Sequence, residues 1–105
     1  MAWNGGERVK LSDDEIEQRL AELPGWQRED QFIRKRFGFA SFPEAVAFVN
    51  RVAEIAERRN HHPLISIDYK YVTLRFTTWH AGGLTSEDFD EAKEIESLYA
   101  SKEAT

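Results

Sequence analysis

Pro63 restricts the fold more than any other residue. The residue before a proline is pushed out of the helical region into extended backbone, so a helix running into His61-His62-Pro63 must stop by His62. Upstream, Ser41-Phe42-Pro43-Glu44 opens that helix. Ser41 and Glu44 stand at capping-box spacing, and Pro43 falls in the first turn, where a missing N–H loses no bond. Val46, Val49, Val52, Ala53 and Ala56 mark one side, widened by Phe42, Phe48 and Ile55, as expected of a helix lying on a sheet. Downstream, Ile65, Ile67 and Tyr69 alternate, then Val72, Leu74 and Phe76 opposite Thr73, Arg75 and Thr77. Period-two alternation of this kind predicts two strands around a tight connection.

The first part of the chain repeats that plan. Ser12 and Glu15 form a second capping box with Leu11 and Ile16 as its staple. Ile16, Leu20 and Leu23 then share a face up to Pro24-Gly25. Trp26 to Glu29 predicts a short strand, Asp30-Gln31 a turn, and Ile33, Phe37 and Phe39 a half-buried strand. A third helix starts at Thr85-Ser86-Glu87-Asp88 with Phe89, Ala92, Ile95 and Tyr99 inward. The order α-β-β-α-β-β-α predicts an α+β fold: a four-stranded antiparallel sheet with three helices on one face. The length suits one domain, read as 11–101, with a flexible tail over 1–10 and a frayed end over 102–105. The edge strands carry no proline, so a second subunit could extend the sheet.

Composition removes several functions. A net charge of −5 argues against direct binding of nucleic acid, which needs clustered Lys and Arg. The compact basic run Arg34-Lys35-Arg36 lies in a strand pattern and reads as a solvated face. With no cysteine, disulfides and thiolate metal sites are excluded. No apolar run reaches the roughly 20 residues a membrane span needs, and the N-terminus lacks the apolar core of a signal peptide. A cytoplasmic location without membrane partners is expected.

The candidate chemistry gathers where the central helix stops. Histidine titrates near neutrality and serves as acid or base. At a helix-to-strand turn, His61 and His62 can approach one bound molecule from different sides; alternatively they are a polar helix terminus complementing the helix dipole. The two are adjacent and have no thiolate to complete a ligand set, so no metal site is expected. Glu57, one turn before His61, is placed to orient that imidazole. Asp88 fits the capping-box carboxylate of the last helix. Trp79 can stack on a flat heterocycle or cover the core edge. In a regular strand His80 would face away from Trp79, unless the glycines kink the chain. Gly82-Gly83, ahead of a helix N-terminus, can offer N–H groups to a polar ligand.

Taken together, Glu57, His61-His62-Pro63 four residues on, Tyr69 six further, Trp79 ten further and Asp88 nine further resemble the pterin-4a-carbinolamine dehydratase family. Ala81 to Thr85, AGGLT, resembles the family's loop before its last helix. The resemblance implies dehydration of 4a-hydroxytetrahydropterin, including 4a-hydroxytetrahydrobiopterin, to the quinonoid dihydropterin without metal or organic cofactor. It implies His61 and His62 as acid and base in either assignment, with Glu57 and Asp88 biasing their charge and orientation. Pro63, Trp79 and His80 are the expected substrate-contacting residues. Many members have a third histidine where this chain has Trp79, which implies a weaker dehydratase. A homodimer or homotetramer is expected. The alternative reading is a dimerisation or assembly module of the same fold with little catalysis, including a role in molybdenum-cofactor metabolism.

Overall fold

Local signals set the element boundaries, and packing decides which faces are buried. A computed structural model describes residues 9–104. Helix α1 is Asp13–Leu20, strand β1 Gln27–Glu29, strand β2 Phe32–Gly38 and helix α2 Phe42–Arg59. Strand β3 is Leu64–Asp68, strand β4 Tyr71–Phe76 and helix α3 Ser86–Ala104, with a 3-10 turn at Trp79–Ala81. Residues 1–8 of the expected tail, and Thr105, lie outside the described residues. The expected frayed end over 102–105 begins within the last turn of helix α3.

The Ser12 hydroxyl accepts the Glu15 N–H at 3.2 Å and the Glu15 carboxylate accepts the Ser12 N–H at 2.8 Å, completing the box that starts α1. Helix α1 ends at Leu20, before Pro24-Gly25; the turn that follows still buries Leu23 and Trp26.

The sheet is antiparallel throughout, in the order β1-β2-β4-β3. Its two central strands bury Ile33, Phe37, Val72, Leu74 and Phe76 against Phe48, Val52 and Ile55 of α2 and Phe89, Ala92 and Ile95 of α3. Each of these side chains larger than alanine contributes about 1.5–3 kcal/mol when removed from water. Trp26 packs on Phe37 and Phe76, and its Nε1–H donates to Glu96 at 2.8 Å. The same carboxylate takes Lys35 at 2.6 Å, which satisfies the charged residue between Ile33 and Phe37.

Two faces differ from expectation. Helix α2 buries Ala45, Phe48, Val52, Ile55 and Ala56, while Ala53 is exposed and Phe42 is 50% exposed. The helix has more apolar positions than one face can bury, and the stripe containing the bulky Phe48 and Ile55 prevails. All five residues of β3 are exposed: the strand forms the sheet edge beside β4, and none of its residues joins the core. Tyr69 lies beyond the strand, in the turn, at φ 57°.

Candidate functional site

Helix α2 stops at Asn60, before Pro63 can act. Asn60 takes left-handed backbone (φ 52°, ψ 46°), a conformation asparagine tolerates better than most residues. The His61 N–H then reaches the Ala56 carbonyl at 3.1 Å, and the Asn60 N–H reaches that of Glu57 at 3.3 Å. This is the paired closure of a Schellman motif. The reversal, followed by the extended backbone Pro63 demands of His62, sends the neighbouring imidazoles in different directions.

His61 turns inward and is 5% exposed. Its Nδ1 lies 2.8 Å from Glu91 Oε1, and its Nε2 lies 3.1 Å from both the Thr78 hydroxyl and Asp88 Oδ1. Its ring stacks on Phe76 with planes 4° apart. Burial opposes charge on the ring, but the contacts and charges of Asp88 and Glu91 outweigh it and push its pKa up to about 9. Burial raises the Glu91 carboxyl, and the imidazolium beside it pulls it back.

His62 turns outward. Its Nε2 lies 2.7 Å from Glu57 Oε2, and both side chains are exposed. Glu57 therefore pairs with His62 and not with His61, as its helical spacing had suggested; the left-handed residue at 60 takes His61 off the helical path. Asp88 serves two roles. Its Oδ2 accepts the Thr85 N–H at 2.8 Å, as the capping reading requires, and the Thr78 hydroxyl at 2.8 Å. Its Oδ1 faces His61.

Strand β4 ends at Phe76, so strand alternation no longer governs Trp79 and His80. In the 3-10 turn successive side chains are about 120° apart rather than opposed, and both border one open concavity of about 240 Å³. Asn60, His61, His62 and Thr77 complete its lining. Trp79 is 65% exposed, with its ring edge against Phe32 at 5.4 Å. Glu57 and Asp88 do not line it; each touches one of the imidazoles that do. Pro63 is not among its lining residues.

The glycine pair does not present N–H groups to a ligand. The N–H of Gly82 bonds to Trp79, that of Gly83 to Thr78, that of Leu84 to Gln31 and that of Thr85 to Asp88. Gly82 supplies the left-handed turn at φ 80°, and a Cβ at Gly83 would collide with the Gln31 side chain.

His61, Glu87 and Glu91 each bring a potential ligand atom within 4.8 Å of the others. As arranged, these groups make ion pairs: Arg59 takes Glu87 at 3.1 Å, and His61 takes Glu91. Thr78, Thr85 and Glu91 were not legible as site residues. Glu91 did leave a signal, because a carboxylate stands beside Asp88 and Ala92 on the face of α3 otherwise filled by Phe89, Ala92 and Ile95.

The arrangement thus offers an open concavity, an exposed indole, two solvent-facing imidazoles and a third, buried imidazole whose nitrogens are both engaged. Residues 9–98 match the family model described as pterin 4 alpha carbinolamine dehydratase. A relative from Roseiflexus sp. strain RS-1, whose name assigns it provisionally as a pterin-4-alpha-carbinolamine dehydratase, is 53% identical across 86% of this chain and 97% of its own. One from Roseiflexus castenholzii with the same provisional name is 51% identical across 84% and 95%. A crystal structure described as a transcriptional coactivator/pterin dehydratase from Brucella melitensis superposes with a TM-score of 0.82 at 29% identity, covering 86% of this chain and 98% of that one. A pterin dehydratase-like RuBisCO assembly factor of the alpha-carboxysome, at 24% identity and TM-score 0.58 over 70% and 86%, shares the fold. With the His-His-Pro turn, the aspartate-capped last helix and nearly the whole chain matched, this protein belongs to the pterin 4 alpha carbinolamine dehydratase family.

Proposed function

We propose that the concavity dehydrates 4a-hydroxytetrahydropterin to the quinonoid dihydropterin, returning oxidised pterin toward the tetrahydro form. One observation carries the reading: two imidazoles held in opposite environments border the same opening beside an exposed indole. Trp79 offers a face on which a planar bicycle can stack. In the reaction the N5 lone pair forms the N5=C4a bond as the C4a–O bond breaks. The departing oxygen takes a proton and leaves as water, and N5 gives its own proton to a base. The protonated His61 supplies the cation in the wall of the site, and the departing oxygen draws its proton from solvent at the open rim. His62, oriented by Glu57 and open to solvent, takes the N5 proton and returns it to water. His80, on the same rim, stands where it can assist the transfer that a histidine at position 79 performs in other members.

The reaction as written draws on side chains alone. A cytoplasmic setting is consistent with a chain in which no described helix is long and apolar enough to cross a membrane. We further propose a homodimer or homotetramer, favoured by the uncovered edge at β3, where Leu64, Ile65 and Ile67 are 39–48% exposed. The same edge supports the second reading, an assembly module with little catalysis. Stopped-flow dehydration of synthetic 4a-hydroxytetrahydropterin separates the two. Turnover above the uncatalysed rate that falls in both His61→Ala and His62→Ala is expected; a wild-type rate equal to the buffer rate would leave the assembly reading.

A further inference from the structure

We infer that Glu91 is a positioning residue that, together with Asp88, holds His61 as a fixed imidazolium in the wall of the concavity. The hydrogen-bond directions put one proton on Nε2 and a second between Nδ1 and Glu91. The Thr78 hydroxyl donates its one proton to Asp88 Oδ2 at 2.8 Å. Toward His61 Nε2, at 3.1 Å, Thr78 can then only accept, so Nε2 carries a hydrogen. The other ring nitrogen lies 2.8 Å from Glu91 Oε1, so a proton also lies between those two atoms.

The surrounding charge decides which partner holds that proton. Asp88 Oδ1 is buried, makes no hydrogen bond among the described residues, and lies 3.1 Å from Nε2. A neutral ring would leave this carboxylate uncompensated. Helix α3 presents Glu87, Asp88 and Glu91 to the ring; Arg59 of α2 pairs directly with Glu87 at 3.1 Å, and its charge also reaches Glu91. Strand β4 and the residues after it contribute the uncharged Phe76 and Thr78, and the adjacent His62 is turned to Glu57. The excess of negative charge places the proton on the ring. The raised pKa of His61 accords with this geometry.

The consequence for turnover rests on the dehydratase reading; the charge state of the ring does not. Imidazole nitrogen and carboxyl carbon NMR on the full chain tests both. Both His61 nitrogens are expected to be protonated at pH 7.5, and the Glu91 carboxyl carbon is expected to shift as the ring titrates. Glu91→Gln keeps an acceptor for Nδ1–H but removes the charge, so the His61 midpoint should fall by about 1–3 units. The alkaline limb of the turnover profile should move by the same amount. A neutral His61 in the wild type, or a midpoint unmoved in Glu91→Gln, overturns the inference. If Glu91→Gln does not fold, the wild-type carboxyl titration still decides: a Glu91 carbon indifferent to His61 overturns it. A protein with the coupled titration but no turnover would refute the dehydratase reading alone.

Discussion

The inner wall and the outer rim of the concavity are built from neighbouring residues yet obey different physics. His61 is buried, stacked on Phe76 and contacted at both nitrogens. His62, one residue on, makes a single exposed pair with Glu57. Low dielectric makes the inner charges matter to folding, because an unpaired buried charge is costly. Solvent makes the outer pair nearly irrelevant to folding and leaves the His62 ring open to the concavity. One left-handed residue, Asn60, creates this division of labour.

The contrast breaks most severely if the inner ring is removed. His61→Ala strands Asp88 and Glu91 without their cation, and urea unfolding should show a loss of about 3–5 kcal/mol together with lost turnover. His62→Ala should do the reverse. Its turnover should drop by roughly 10²–10⁴-fold in the stopped-flow assay, while its stability should stay within about 0.5 kcal/mol of wild type.

Stability against pH sharpens the inner side. His61 sits above its ordinary value in the folded state, so its contribution is fully present below pH 6.5 and is lost as pH rises through about 9. That difference corresponds to about 3 kcal/mol, readable as a lower urea midpoint at pH 10 than at pH 6.5. The smallest effect belongs to the rim. Glu57→Gln removes an exposed pair worth about 0.2–1 kcal/mol, so turnover should change only about fivefold or less and the urea midpoint hardly at all.

Much of this was visible in the sequence. The capping box at Ser12, the Ser41 N-cap, the strand alternation and the His-His-Pro stop are local signals, and local signals fixed the element order. The face buried by α2 was not legible, because its apolar residues cover more than one side and only packing chooses between Phe48 and Val46. The exposure of β3 depends on strand order, which alternation does not encode. At the site, sequence spacing tied Glu57 to His61, but a single positive φ at Asn60 redirected it to His62. Glu91 and Thr78 joined the site through contacts 30 and 17 residues away from His61. Asp88 caps α3 through one oxygen and faces His61 through the other, so the two contacts do not compete.

The location of the site can be measured directly. Titrating an oxidised pterin that cannot dehydrate into the isotopically labelled protein should shift the resonances of Thr77, Trp79 and His80, with the His62 ring. Shifts confined to the β3 edge around Ile65 and Ile67, or none at saturating pterin, would contradict the account.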